Sequence, residues 1–333
     1  MSQEIQPTPI TTNHKDLITH VELSADGIFL ATASLDKVIN IYRRKSKQDQ
    51  WEAVESLKSH GAYITKCRFC HPFRGRILAS GSFDTKIHIF QEEEGYSWKR
   101  RAVLHCSSSA VIDLQFCPYY LQNMLLAACT SFGHILIYEA PDPLNIVSWN
   151  QLHDVEFGSN LRLSTLSWDR NRFINHPYLA VGSNDSNAPP ESRLVLFEVD
   201  FNKQMLVEQM HFDLDSEEEQ VKCVAFAPSS SSLYSRVAAA TRFLVYIYAI
   251  MYQKSEETNK YHVKDQPVLI GKLEDESANN FEIVSLLWNN QGNSVSVQYN
   301  DGRIFIYQQT FNNCWKRISI VSIRDDLPNQ IAD

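Results

Sequence analysis

GRILASGSFDTKIHIF, residues 75–90, decides how the rest of the chain is read. Residues 77–82 are a short run of apolar and small side chains, and Ile87 and Ile89 flank His88 in the run that ends at Phe90. Both runs suit β-strands, whose pleated, buried surface favours Ile and Phe. Between them Phe83-Asp84-Thr85-Lys86 forms a tight polar turn, so the segment is a hairpin. It recurs as FLATASLDKVINIY at 29–42, MLLAACTSFGHILIY at 124–138, VAAATRFLVYIY at 237–248 and SVSVQYNDGRIFIY at 294–307. A further copy at 178–197 carries the insertion SNDSNAPPES between its strands. Every second strand ends on an aromatic residue: Tyr42, Phe90, Tyr138, Phe197, Tyr248 or Tyr307. Each copy follows another strand-like run, ending at Leu23, Phe69, Phe116, Trp168, Phe226 or Trp288, and precedes one more, such as WEAVESLK or WKRRAVLH. Six copies at spacings of about 45–60 residues, with four strands in each, are the signature of propeller blades. The expected fold class is all-β, a six-bladed β-propeller.

The chain has 333 residues, of which 44% are hydrophobic and 21% charged, enough for a large core. Length alone suggests two domains, but six blades close on one ring. The expected division is a tail at 1–16, a propeller at 17–323 and a second tail at 324–333. No run of about 18 apolar residues occurs, so no membrane span is expected. The start, MSQEIQPTPITTNHK, lacks the apolar stretch of a signal peptide, so the protein is expected to fold in a reducing compartment. A net charge of −8 argues against a phosphate-binding, nucleic-acid role. The basic runs at 43–45 and 99–101 and the acidic runs at 92–94 and 217–219 read as solvated loops or strand edges.

Blade order raises a question of closure. The first blade opens on its innermost strand, ITHVELS, and the last ends on its outermost, WKRISIVSI. No spare strand remains to seal the ring, and the ITT of the amino-terminal tail is a poor substitute. The ring is therefore expected to be open, or held only by side-chain packing. An open ring exposes the apolar flanks of blades one and six, and large apolar patches mark partner sites. Unpaired strand edges also accept strands from outside.

Two blades carry matched polar residues: His14, Ser34 and Asp36 in the first, His60, Ser82 and Asp84 in the second. Such residues can form a hydrogen-bonded network that pins a loop to a turn. They resemble the structural His-Ser-Asp-Trp network of WD40 repeats. A nucleophilic Ser-His-Asp triad fits less well, because the set occurs twice and no strand-to-helix nucleophile elbow is present. The turn Asp recurs only at Asp36, Asp84 and Asp301, and no copy has the Trp-Asp dipeptide or a preceding Gly-His pair. Blades three to five are accordingly expected to be less firmly tied.

Cys67-Arg68-Phe69-Cys70-His71 spells the CxxCH of covalent haem attachment. It overlaps an innermost strand, where other blades place apolar residues, and free Cys is a small hydrophobe. The other five cysteines are isolated, so four zinc ligands in recognisable pairs are not to be found, and disulfides are not expected in a reducing compartment. Trp149, Trp168, Trp288 and Trp315 lie in strand patterns without the basic company of a base-stacking platform. No cofactor, metal site or active site is expected.

HKDLITHVELSADGIFLATASLDKVINIY at 14–42 resembles the first blade of the Seh-type nucleoporins, relatives of the Sec-thirteen coat protein. GRILASGSFDTKIHIF followed by WKRRAVLH, HILIYEAPDPLNIVSW at 134–149 and SWDRNRFINHPYLAVGSNDSNAPPESRLVLFE at 167–198 are similar to the same family. The EAPD…SW segment favours the Seh branch; blades five and six are more divergent. The resemblance implies a non-enzymatic scaffold: an open propeller, completed by strands that an α-solenoid nucleoporin donates, in the Y-shaped subcomplex of the nuclear pore at the nuclear envelope. It also implies service in the GATOR/SEA-type complex that signals amino-acid status to the TOR kinase at lysosomes or vacuoles. On that reading the partner meets the flanks of blades one and six, with Leu23, Ile39 and Ile41 on one side and Leu286, Trp288 and Ile306 on the other. A closed propeller reading peptides on its top face, a vesicle-coat subunit of the Sec-thirteen branch and, more distantly, an enzymatic propeller are the alternatives.

Overall fold

The computed structural model describes residues 10–46, 50–106, 109–118, 124–158, 161–174, 177–200, 205–214, 220–229, 231, 233–255, 261–274, 281–310 and 314–321. Each hairpin gains a strand on both sides, giving six antiparallel sheets in chain order. Blade one holds β1 (Ile18–Leu23), β2 (Phe29–Ser34), β3 (Ile39–Arg43) and β4 (Glu52–Leu57). Blade two holds β5 (Ile64–Phe69), β6 (Ile77–Ser82), β7 (Lys86–Glu92) and β8 (Trp98–His105). Blade three holds β9 (Val111–Phe116), β10 (Met124–Thr130), β11 (His134–Ala140) and β12 (Asn150–Glu156). Blade four holds β13 (Leu163–Trp168), β14 (Tyr178–Ser183), β15 (Leu194–Asp200) and β16 (Met205–His211). Blade five holds β17 (Cys223–Phe226), β18 (Tyr234–Ala240), β19 (Val245–Lys254), β20 (Tyr261–Val263) and β21 (Val268–Leu273). Blade six holds β22 (Ile283–Trp288), β23 (Ser294–Tyr299), β24 (Ile304–Gln309) and β25 (Trp315–Val321).

Blade five departs from the four-strand plan. β19 outruns its sheet, and Tyr252, Gln253 and Lys254 pair with β20 before the chain returns as β21. The chain between β19 and β21 thus contributes a short two-stranded ribbon.

Two β-bulges recur. One falls in the outer pairing of each hairpin, directly before its aromatic residue: the register shifts at Ile41/Tyr42, Ile89/Phe90, Ile137/Tyr138, Leu196/Phe197, Ile247/Tyr248 and Ile306/Tyr307. The repeating aromatic therefore marks the place where each outer strand twists away. The other bulge lies at the start of the inner strands, where Thr19, Thr65, Ile112, Ser164 and Val284 are skipped in the pairing. At three seams the skipped residue is a hydroxyl that reaches the next blade. Thr19 Oγ1 donates to the Ile64 carbonyl at 2.6 Å, Thr65 Oγ1 to Val111 at 2.7 Å and Ser164 Oγ to Val221 at 2.6 Å.

Strands β2, β6, β10 and β14 are buried on both faces, because each of these blades has apolar side chains on both sides. That is why they read as near-continuous apolar runs rather than alternating ones. The core is a series of layers between successive blades. Phe29, Ala31, Ile39 and Ile41 meet Ile64, Cys67, Leu78 and Phe90 between blades one and two. Equivalent layers join blades two and three, three and four, four and five, and five and six. Six blades thus have five apolar layers among the described residues. The inner strands follow suit: β1 packs on β5, β5 on β9, β9 on β13, β13 on β17 and β17 on β22.

Candidate functional site: the two free flanks

The missing sixth layer is legible at equivalent positions of the inner strands. The fourth residue of the inner-strand pattern faces the preceding blade. Cys67, Leu114, Leu166, Val224 and Leu286 are all buried there, whereas Val21 of blade one is 52% exposed. Leu23, two residues on, is 48% exposed, while Phe116, Trp168 and Phe226 at the same position are buried. On the other free side the pattern reverses. Leu287 of blade six is 64% exposed, whereas the matching Ser167 is buried. Val284 is also exposed, and Ile304 and Ile306 are half-buried.

Cross-strand register settles which side chains share these flanks. In β22–β24, Leu287 lies opposite Ser296 and Ser296 opposite Ile306; Gln298 lies opposite Ile304. Ile283, Leu286, Val295, Val297, Phe305 and Tyr307 point the other way, into the layer with blade five. The bare face of blade six therefore runs across Leu287, Ser296, Ile304 and Ile306. On blade one, Val21 lies opposite Thr32 and Leu23 opposite Leu30. Leu30, Thr32, Asn40 and Tyr42 on the same face are buried, so the exposed part is the inner strand itself.

Of the side chains expected to meet a partner, Leu23 and Ile306 lie on the free flanks. Ile39 and Ile41 do not: both are fully buried against blade two. Leu286 is buried against blade five, and Trp288 donates Nε1–H to the Ala225 carbonyl at 2.9 Å. All four point to sealed seams because every strand of a blade has two apolar sides, and register rather than composition separates them. Val21 and Leu287 occupy the free faces and were missed for the same reason. Aligning the six inner strands residue by residue would have found them.

The polar pins form at one end of blades one and two, with one shift of residue. His60 Nδ1 donates to Asp84 Oδ2 at 3.0 Å, which leaves Nε2 to accept from Ser80 Oγ at 2.8 Å. His14 bridges Asp36 Oδ2 at 2.9 Å and Thr32 Oγ1 at 2.8 Å in the same way. The hydroxyl at each His is thus Ser80 or Thr32, two residues before the expected Ser82 and Ser34. Ser34 and Ser82 instead hold the turn, accepting from the N–H of Asp36 and Asp84, both at 3.1 Å, and donating to loop carbonyls. Asp84 also accepts from the N–H of Gly61 and Lys86, and Asp36 from those of Lys15 and Val38. Burial favours the neutral form of Asp84, but the Gly61 N–H and His60 outweigh it and hold the carboxyl below its ordinary range. Burial keeps His60 neutral, lowering its pKa against the pull of Asp84. Its ring stacks on His88 at 3.9 Å between centroids, and burial together with His60 brings His88 down to about 3.

Ser80, His60 and Asp84 stand in triad order, yet Ser80 is fully buried at the seam with blade one. A nucleophile needs a path to substrate, and here blade one occupies it. The arrangement serves instead as a clamp between loop and turn.

Blade four has a pin that the sequence hid. Asp185, inside the insertion, accepts from the N–H of Arg162 at 3.1 Å and Asn187 at 2.9 Å, and Ser183 bonds as Ser34 and Ser82 do. Blade four is therefore tied, contrary to expectation. Asp301, which matched the pattern, bonds only within its own turn, to the N–H and side chain of Arg303.

A second set of bonds crosses the seams at the inner strands. Arg68 donates to Glu22 at 2.9 Å and approaches Asp113 at 4.0 Å. Asp113 accepts from the Leu166 N–H at 3.2 Å and Thr165 Oγ1 at 3.3 Å, and Thr165 accepts from the Val224 N–H at 3.2 Å. Blades one to five are laced in this way.

The CxxCH cysteines face different layers. Cys67 lies between blades one and two and Cys70 between blades two and three. Burial pushes both thiols up, Cys70 to about 12. His71 caps the 3₁₀ turn Pro72–Arg74, accepting from the Phe73 N–H. The three cannot present a joint face to haem or metal. No helix among the described residues is long and apolar enough to cross a membrane.

Comparison with known proteins agrees with this geometry. The WD domain, G-beta repeat family model matches residues 6–43 and 51–91, the two blades with His pins. Nucleoporin SEH1 of Homo sapiens and of Bos taurus are each 28% identical over 323 residues, covering 94% of this chain and 87% of the relative. Nucleoporin SEH1 of Danio rerio is 27% identical over 322 residues, with 94% and 86% covered. Blade count and repeat chemistry converge: the chain is a six-bladed β-propeller whose first two blades carry the WD repeat, and it is similar along nearly its whole length to the SEH1 nucleoporins.

Proposed function

We propose that this protein is a scaffold subunit of the nuclear pore complex whose ring is completed by a partner. The observation that carries the reading is the count of five apolar layers for six blades among the described residues, with Val21 and Leu23 exposed on one side and Leu287 exposed beside half-buried Ile306 on the other. Each apolar side chain taken out of water contributes roughly 1.5–3 kcal/mol when fully buried, so a strand or sheet placed between the flanks gains from both. The partner proposed is an α-solenoid nucleoporin of the Y-shaped subcomplex, which would donate a blade. The same flanks are what a GATOR/SEA-type subunit would use in amino-acid signalling to TOR.

Charging both flanks tests the reading. Val21→Asp with Leu287→Asp is expected to abolish co-purification with the solenoid nucleoporin while near-ultraviolet circular dichroism stays native. A correctly folded double variant that still recovers the solenoid in wild-type amount would refute it.

A further inference from the structure

We propose that Arg236 is the seat of an oxyanion site at the seam between blades five and six, taking a carboxylate or phosphate group. Arg236 lies on β18 opposite Ala249 and on the same strand face as Ala238 and Ala240, which line the layer with blade six. Its side chain thus enters the end of that layer, and the residue is only 9% exposed. Nη1 donates to Gln309 Oε1 at 2.7 Å, a neutral acceptor on β24. No carboxylate among the described residues pairs with this guanidinium, and its remaining N–H groups have no hydrogen-bond partner there.

Arg68 has Glu22 and Asp113, and Arg76 has Glu92 and Asp26. A buried charge without a counter-charge is costly, and the chain as a whole carries an excess of acids. Burial accordingly lowers the pKa of Arg236, against an opposing pull from Tyr234.

The surroundings suit an anion. The loop at 289–293 reads NNQGN and contains no charged residue. Gln309 N–H donates to the Asn293 carbonyl at 3.1 Å, which brings this loop alongside the guanidinium's partner. Gly292 holds the loop tight on blade five: a Cβ there would lie 2.3 Å from the Pro228 carbonyl oxygen, and its φ is +66°. A rigid, neutral, amide-rich wall beside a guanidinium with open donors is the chemistry that grips a planar or tetrahedral oxyanion through paired N–H···O bonds.

The test uses the full chain alone, so it stands apart from binding of any solenoid. Inorganic phosphate and N-acetylglutamate are titrated separately at fixed ionic strength against chloride, following the arginine Nε–H resonances by NMR and the heat by calorimetry. One resonance, absent from Arg236→Met, should shift saturably with phosphate, with N-acetylglutamate or with both. The responding probe identifies the source of the oxyanion. Arg236→Met should weaken binding at least tenfold and Arg236→Lys should retain part of it. If no arginine resonance in the wild-type protein responds saturably to either probe, the proposal fails whether or not the variants fold. It fails equally if Arg236→Met binds both probes as the wild type does.

Discussion

Blade two is packed between two neighbours and pinned at one end by His60, Asp84 and Ser80, while among the described residues blade six packs on blade five alone and spends Asp301 inside its own turn. The strand plan is the same in both. What differs is the chemistry assigned to the second face. In β6 all six residues are buried, and in β23 burial alternates because every second side chain, including Ser296 and Gln298, lies on the free flank away from blade five. The comparison teaches that a propeller blade is stabilised from both sides, and that the last blade of this chain receives half of that support from its own sequence.

The contrast can be broken most sharply by placing one charge in each blade. Ile89→Asp, in the sealed layer between blades two and three, should cost on the order of 4 kcal/mol or more and prevent cooperative folding, since it buries a carboxylate without a partner. Leu287→Asp should leave urea unfolding of the isolated chain within about 0.5 kcal/mol of wild type. Equal losses in the two variants would mean that blade six has a covered face after all.

Removing the pin comes next in size. His60→Ala deletes one buried and one partly buried hydrogen bond and strands Ser80, and should cost roughly 2–4 kcal/mol. Asp301→Ala, which breaks bonds inside an exposed turn, should cost less than about 1 kcal/mol. Denaturant midpoints at constant slope measure both.

Acid should expose the same difference. His60 and His88 are neutral in the fold, with pKa values below the ordinary 6.5, His88 at about 3. Between those values and 6.5 the unfolded chain binds more protons, so stability rises with pH there. The contribution is complete above about pH 6.5 and is lost as pH falls, by at most about 1.4 kcal/mol per pH unit for each ring. Asp169 opposes it. Burial raises that carboxyl to about 6 despite bonds from Tyr252 and Ser235, so folding gains from acid between about 6 and the ordinary 3.8. Asp169→Asn should therefore steepen the acid loss, and replacing both imidazoles with Phe should flatten it.

The smallest effect separates the hydroxyl seams from the free end. Thr65→Val should cost about 1 kcal/mol by removing its bond to the Val111 carbonyl. Val284→Thr, at the same bulge in blade six, should change the isolated chain by less than about 0.5 kcal/mol, because no seventh blade offers it an acceptor.

Much of the fold was legible because the hairpins repeat and each closes on an aromatic, which proves to sit at a bulge in all six sheets. The sidedness of single residues was not. In an ordinary amphipathic strand the polar positions tell inside from outside, but FLATAS and ILASGS have two inner faces. Ile41 and Leu286 therefore looked as eligible for a partner as Leu23 and Ile306. The pins were half legible. His14 and His60 do meet Asp36 and Asp84, but Ser34 and Ser82 drew attention from Thr32 and Ser80 because only the former are identical in both blades. Asp185 was concealed by the length of its insertion, and Asp301 matched by type while lacking a loop to hold.

The bulge at the head of the inner strands has a consequence for self-association. An incomplete ring with one end matching the start of another is at risk of adding copies of itself head to tail, and such contacts grow into filaments. Here the donor that the bulges of blades one, two and four extend to a following neighbour is replaced, at the terminal position, by the methyl groups of Val284, as it is by Ile112 in blade three. A second copy arriving there would find no hydroxyl for the carbonyl of its own Ile18, so the chain's last sheet greets its own kind less well than it could greet a strand shaped for it.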